Sequence, residues 1–390
     1  MNNEKLLNIA KKHGTPSFLF DIQALLNRVR AMKDILDNKY ELCFAMKANP
    51  FLTAYISKNI EKIEVCSPGE LQICIKLNIS PSQIIYSGVV KGYDDIVLAL
   101  KYGIKTFTAE SLNQLELINK CTLALDVKIF VLLRLSAKSQ FGMSKEDILH
   151  AIKTSSKYQN IQFSGLHYYA GTQRKKIDLQ LKDLNLLLDL KNEIIDIIKI
   201  DEFIIEYAPG LSVSMFEDDD FSDTLKPLST LKAKLDKLNL DGVKIRIELG
   251  RFIVQYCGYY LASILDVKNT GECDYCLLDG GINHVNYYGS IMGMKIPIMR
   301  HFQINHNHHD DKKDYCICGA LCTSGDVLVR RKQLDNPQIG DLIVFENIGA
   351  YSVTEGIYLF LSRTLPKVLL LDNKNILVAR DFKEIFELNF

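Results

Sequence analysis

The chain has 390 residues, 47% of them hydrophobic, and its 47 Lys and Arg match 47 Asp and Glu, leaving no formal net charge. That length supports two or three domains, or one barrel of up to about 250 residues with a smaller companion. Balanced charge without a long Lys/Arg block excludes the electrostatic footprint of a nucleic-acid or anionic-membrane binder, and points to a small-molecule partner.

The opening MNNEKLLNIAKKHGT is polar and amphipathic and lacks the apolar centre of a signal peptide. No later apolar run is long enough to span a bilayer, so a cytoplasmic chain is expected. Its 10 cysteines are then read as reduced thiols. After a β-type run at PSFLFD (16–21), CFAMKANP (43–50) begins a series of eight such runs. The others are KIEVCS (62–67), IIYSG (84–88), KTFTAE (105–110), KIFVLLRL (128–135), FSGLHYYA (163–170), EFIIEYA (202–208) and KIRIELG (244–250). Between them lie stretches such as PGELQICIKLN and LQLKDLNLLLDLKNEIIDII, with apolar residues at the three-and-four spacing of amphipathic helices. Strand and helix alternating eight times predict a TIM (β/α)8 barrel over residues 25–260. A doubly wound open sheet is the rival, but its glycine-rich phosphate loop is missing after the first strand, where a lysine stands instead. After residue 258 the runs YYLASILDVKN, DYCLLDGG, DLIVFENIG and KVLLLDN lack long helical partners. They predict a C-terminal β-sandwich or barrel-like domain, 261–390, joined by residues 1–24.

In such a barrel the active-site residues lie where the strands end. Lys47, Ser67, Arg134, His167, Tyr169, Glu248, Gly250 and Arg251 are at those positions. A lysine desolvated between Met46 and Ala48 loses affinity for its proton and becomes a nucleophile for an aldehyde. The alternative is a lysine whose stem is buried and whose ammonium reaches solvent. The loops APGLS (208–212) and ELGRF (248–252) combine glycines with Arg251 and suit a phosphate. Glu248 beside them could keep a pyridine nitrogen protonated, or form an ordinary ion pair with Arg246 or Arg251.

At this point the chain resembles the fold-type III pyridoxal-phosphate decarboxylases, of the diaminopimelate and ornithine/arginine kind, which share an alanine-racemase-type barrel. The segments carrying the resemblance are TPSFLFD, FAMKAN, EVCSPGEL, LRLSAKSQFGMS, ELGR, GALCTSGDVL and GAYS. The resemblance implies that Lys47 is the Schiff-base lysine and Glu248 the pyridinium partner. It likewise makes Gly250, Arg251 and Tyr351 phosphate ligands, and Cys322 the acid that reprotonates the product. It also implies a homodimer in which Cys322 reaches the neighbouring subunit's site.

Departures from the family pattern bear on the substrate. GLHYYAGTQ puts Tyr169 where a stacking histidine is usual and His167 two residues earlier, so either could stack on the cofactor. Ala208-Pro209-Gly210 replaces a glycine triplet, though Gly210 and Ser212 still suit a phosphate. Where the family places an Arg and a Tyr after an Asp-Gly-Gly-like strand to hold a distal carboxylate, this chain has DGGINHVNYYGSIMGMKIPIMRH, which does not match that clamp, and Thr323 stands where a Glu usually follows the cysteine. The expected activity is therefore removal of the α-carboxylate from an amino acid or amino-acid conjugate other than meso-diaminopimelate, with Thr323, Asp326 and Tyr288 as candidate substrate contacts. Diaminopimelate itself, a racemase and a non-catalytic cofactor carrier are the rivals; Glu248 argues against the racemase, and the β domain with Cys322 and Tyr351 against the carrier. The clusters ECDYC, CICGALC and HFQINHNHHDD contain metal-ligand types but lack two well-spaced CxxC pairs, and no metal is expected.

Overall fold

The computed structural model describes residues 1–304 and 312–390. They form two compact units, one of residues 26–213 and 223–253, the other of residues 1–25, 214–222 and 254–390. Among the described residues no helix is long and apolar enough to cross a membrane.

Strand β1 (Ser17–Asp21) belongs to the sheet of the second unit, and the next eight strands form the first. These are β2 (Glu41–Ala45), β3 (Lys62–Val65), β4 (Ile84–Tyr86), β5 (Thr106–Ala109), β6 (Ile129–Arg134), β7 (Ile161–Tyr169), β8 (Phe203–Ala208) and β9 (Val243–Leu249). They are parallel and close into a barrel in chain order, β9 returning to β2. Both faces of such strands are covered, which is why they read as nearly unbroken apolar runs. Phe107, Leu132, Ile205 and Ile247 are fully buried; each such side chain contributes about 1.5–3 kcal/mol through burial. The helices begin abruptly at serines: the Oγ atoms of Ser67, Ser111 and Ser144 accept from the N–H groups of Glu70, Gln114 and Asp147. Each thereby satisfies an N–H that the first helical turn leaves without a partner.

The strands stop earlier than the apolar runs suggest. β2 ends at Ala45, and Met46–Ala48 forms a 3-10 turn that turns Lys47 outward while Met46 and Ala48 stay buried. Ser67, expected at a strand end, is instead the cap of the following helix.

The second unit is built on a nine-stranded sheet that includes β1, β10 (Gly258–Asn269), β11 (Asp274–Leu278), β12 (Met299–Phe302), β13 (Lys312–Cys318), β14 (Val327–Asp335), β15 (Leu342–Glu346), β16 (Lys367–Asp372) and β17 (Asn375–Arg380). PSFLFD joins this sheet as expected, β1 pairing antiparallel with β10 and parallel with β16. The amphipathic start becomes a helix, Asn3–His13, whose Leu6 and Ile9 pack with Leu19, Leu261, Val344 and Leu369. Strand β14 lies at a sheet edge and exposes Arg330 and Arg331, charges that discourage another chain from pairing there. The same charges hide β14 from an apolar reading of the sequence. Of the His-rich stretch, His301 lies in β12 with Nε2 3.0 Å from Asp341, and residues 305–311 lie outside the described residues.

Candidate active site

Strand register brings the barrel's functional side chains together. Cys43 of β2 is level with Glu248 of β9, and Ala45 with Glu64 of β3. Beyond the end of β2, Lys47 Nζ donates to Glu64 Oε2 at 2.9 Å and lies 3.8 Å from Glu248 Oε1. His167 on β7 completes the group, its Nε2 lying 2.9 Å from Glu248 Oε2. The Glu64, His167 and Glu248 side chains are 2%, 1% and 6% exposed, whereas that of Lys47 is 43% exposed. The expectation of a desolvated ammonium is thus corrected: the Lys47 side chain is partly exposed, and its charge sits against the Glu64 and Glu248 carboxylates. Burial pushes the Glu64 carboxyl up, but Lys47 and His167 outweigh it and hold it well below the usual carboxylate range. Glu248 does not pair with Arg246, whose guanidinium is taken by Glu41 and Glu206.

Around this cluster the strand ends are braced by other charges. Arg134 Nη1 donates to Glu110 Oε1 at 2.5 Å and lies over the Phe141 ring at 4.9 Å, while Glu110 Oε2 accepts from Gly142 N at 3.0 Å. Lys91, 4% exposed, donates to the carbonyls of Ser87 and Gly88 at 3.1 and 2.6 Å. Burial pulls its pKa down to about 8. Glu64, Lys91 and Glu110 escaped the sequence reading. The available signal for Glu64 was an acid between Ile63 and Val65 in a strand run, two residues before Cys66.

Gly250 and Arg251 follow β9, and Gly210 and half-buried Ser212 follow β8. A Cβ on Gly250 would lie 3.0 Å from that of Ala48, so the backbone there packs closely beneath Lys47's turn. Tyr169 is half-buried at the end of β7, two residues beyond His167.

In the second unit, Cys322 and Thr323 are exposed on the loop between β13 and β14. Asp326 is 3% exposed, and its two carboxylate oxygens accept from Ile282 N at 2.8 Å and Leu321 N at 2.7 Å. It therefore shapes the cysteine loop. Tyr288 is 50% exposed, and Tyr351 sits in a turn at φ 68° with its carbonyl accepting from Thr354 N at 2.7 Å.

Among the described residues, Glu64, His167 and Glu248 are the group whose ligand atoms lie close enough together to hold a metal, and Lys47 supplies a positive charge there. Among the described residues no such group includes the thiols of the second unit, where Cys316 and Cys318 lie 3.6 Å apart, Sγ to Sγ. The barrel residues fit pyridoxal phosphate: an exposed amine for the aldehyde, a carboxylate held by His167 for the ring nitrogen, and glycine-containing loops with Arg251 for the phosphate.

Comparison with known proteins agrees with this chemistry. Residues 22–255 match the family described as pyridoxal-dependent decarboxylase, pyridoxal binding domain. The chain is 24% identical to diaminopimelate decarboxylase of Methanocaldococcus jannaschii, the alignment covering 96% of this chain and 90% of that one. It is 25% identical to 2-[(L-alanin-3-ylcarbamoyl)methyl]-2-hydroxybutanedioate decarboxylase of Staphylococcus aureus, covering 93% and 95%. The fold matches that of the M. jannaschii diaminopimelate decarboxylase solved with L-lysine, with a TM-score of 0.84 and 22% identity over 97% of this chain and 92% of that one. It also matches a Vibrio vulnificus lysine/ornithine decarboxylase solved with putrescine, with a TM-score of 0.79 and 21% identity over 95% and 98%.

Proposed function

The chain belongs to the pyridoxal-dependent decarboxylase family, and on that premise we propose that its substrate is an amino-acid conjugate rather than meso-diaminopimelate. That it is a pyridoxal-phosphate-dependent amino-acid decarboxylase follows from the family and the named relatives. The observation carrying the finer reading is the stretch after Asp279-Gly280-Gly281. There Asn283 and His284 are buried, and His284 Nδ1 is bonded to Tyr260 at 2.8 Å. No arginine or tyrosine directly follows the glycines, and neutral Thr323 follows the cysteine. The S. aureus relative's name describes an L-alanin-3-yl group, an alanine with free α-amino and α-carboxyl groups joined through its side-chain carbon to the nitrogen of an amide of a hydroxydicarboxylate, the kind of substrate that does not need a grip on a distal amino-acid head. Tyr288 and Thr323, both exposed, are the candidates to meet its tail.

In this reading Lys47 Nζ holds the cofactor, and Glu248 keeps a proton on the ring nitrogen. Gly210, Ser212, Gly250, Arg251 and Tyr351 hold the phosphate. When bound, pyridoxal phosphate supplies an electron sink for the pair released as CO₂ leaves. His167, engaged by Glu248, orients that carboxylate, which leaves Tyr169 to stack on the ring. Cys322 Sγ delivers a proton to the substrate's α-carbon from a neighbouring subunit, in a cytoplasmic homodimer with shared sites.

Borohydride treatment of the holoenzyme is expected to fix the cofactor to the peptide containing Lys47; attachment to another lysine overturns the site. A CO₂-release panel of meso-diaminopimelate, L-ornithine and amide conjugates of L-2,3-diaminopropionate with hydroxypolycarboxylates tests the substrate. Conjugates are expected to turn over faster, and efficient release from diaminopimelate alone refutes the reading. Mixing Lys47→Ala with Cys322→Ala chains is expected to restore up to about a quarter of the activity, because half of randomly re-paired dimers contain one intact site. No recovery despite proven subunit exchange rules out sharing.

A further inference from the structure

The loops that follow β7 and β8 are fastened by a residue outside the set assigned above. Gln173 lies in the loop after β7, and its side-chain amide makes two bonds to one residue of the other loop: Nε2 donates to Val213 O at 3.0 Å, and Oε1 accepts from Val213 N at 2.8 Å. An amide is the side chain that satisfies both backbone groups of one residue at once, since it has a donor and an acceptor side by side. One residue on, Arg174 N donates to Gly210 O at 2.8 Å. The β8 loop is thus pinned at Gly210 and again at Val213, with Ser212 between the pins.

Three further features show that this pairing is built in. Gln173 has φ 54°, a left-handed backbone that non-glycine residues seldom adopt; such conformations persist where the surroundings over-determine them and cluster at functional sites. Gly210, at φ +64°, packs so closely on the other loop that a Cβ there would fall 1.9 Å from Gly171 O. Buried Gln180 donates to Arg174 O at 3.1 Å and to Pro209 O at 3.4 Å, tying the two loops from beneath.

We infer that Gln173 is a positioning residue for the cofactor's phosphate end, acting by holding the backbone of residues 210–213 in the shape that receives the phosphate. The inference rests on the proposal that Gly210 and Ser212 belong to the phosphate site. Its signature is a loss of affinity that depends on the phosphate. A general weakening of the barrel would reduce binding of any pyridoxal compound, whereas a loosened cup affects the form that carries a phosphate.

The test measures dissociation constants of pyridoxal phosphate and of pyridoxal for the full-length apoprotein and three variants, Gln173→Met, Gln173→Glu and Ser212→Ala, with thermal midpoints alongside. Gln173→Met keeps the side chain's bulk without the amide and is expected to weaken pyridoxal phosphate by about tenfold or more, the scale of one or two lost hydrogen bonds. Pyridoxal affinity is expected to stay within about twofold. Gln173→Glu keeps the acceptor for Val213 N and is expected to fall between. Equal weakening of both compounds, or of neither, in the Gln173 variants overturns the positioning role. If Ser212→Ala alters the ratio of the two affinities and the Gln173 variants do not, the cup stands and the positioning role alone fails. If no variant alters the ratio, the assignment of this loop to the phosphate fails as well.

Discussion

Toward the end of the barrel where its strands begin, the Arg246 guanidinium lies between two carboxylates, with Nε 3.0 Å from Glu41 and Nη1 2.8 Å from Glu206. Toward the end where they finish, Glu64 and Glu248 converge on Lys47 and His167. Both clusters are sets of opposite charges inside one barrel, but their cations differ. The planar Arg246 side chain is 4% exposed and held in a fork geometry. The Lys47 side chain is 43% exposed, on a flexible stem that begins in a 3-10 turn. Burial raises the Glu206 carboxyl above its usual range, with Arg246 offsetting only part of the effect. The Glu64 carboxyl, also buried, is pushed below that range by Lys47 and His167. The comparison separates a cluster fixed for stability from one whose cation can leave its partners, which is what an amine that must react requires.

The largest expected effect belongs to the first cluster. Arg246→Met leaves fully buried Glu206 without its cation, while half-buried Glu41 keeps Lys244, and is expected to cost about 3–5 kcal/mol in urea unfolding. Turnover per folded molecule is expected to stay near that of the native chain; unchanged stability removes the structural half of the comparison.

Lys91 extends the contrast to the rim of the site, because its ammonium is buried against carbonyls rather than carboxylates. Its pKa of about 8 in the folded state lies below the roughly 10.4 of an unfolded lysine. Between those values the unfolded chain binds more protons, so this group makes stability rise with pH through that window, by up to about 3 kcal/mol in all. The stability difference between the native chain and Lys91→Met is therefore expected to shift in favour of the native chain between about pH 7.5 and pH 10. A flat difference shows that the site does not depress this lysine.

Glu248→Gln is expected to retain cofactor and lose about 10²-fold or more in turnover, since an amide cannot stabilise positive charge on the ring nitrogen as a carboxylate does. Native-like turnover in that variant would make the second cluster as structural as the first. The smallest effect is expected for Lys244→Ala, which removes a partly exposed ammonium 2.7 Å from Glu41. Exposed pairs contribute about 1 kcal/mol or less, and a larger loss of stability would extend the structural cluster to the barrel surface.

The eight strands of the barrel were legible because each is an apolar run bounded by turn signals and followed by a helical pattern, all properties of neighbouring residues. Lys47, Glu248 and His167 were legible because they stand near strand ends within recognisable motifs. The second unit was read less completely: β1, β10, β11, β15 and β16 follow apolar runs, whereas the charged half of β14, VLVRRKQLD, serves an edge and carries no such pattern.

Local sequence alone could not distribute the charges between the two clusters. IIEYA and RIELG each place one acid in an apolar strand run, and by their neighbours Glu206 and Glu248 look alike. Their fates are set by register. Glu206 lies level with Arg246 across β8 and β9, while Glu248, two residues farther along β9, reaches His167 and Lys47. A strand's sequence determines which side chains face inward, because their alternation is a property of the chain itself. Which inward-facing layer they join depends on the stagger of neighbouring strands, and that stagger exists only once the barrel closes.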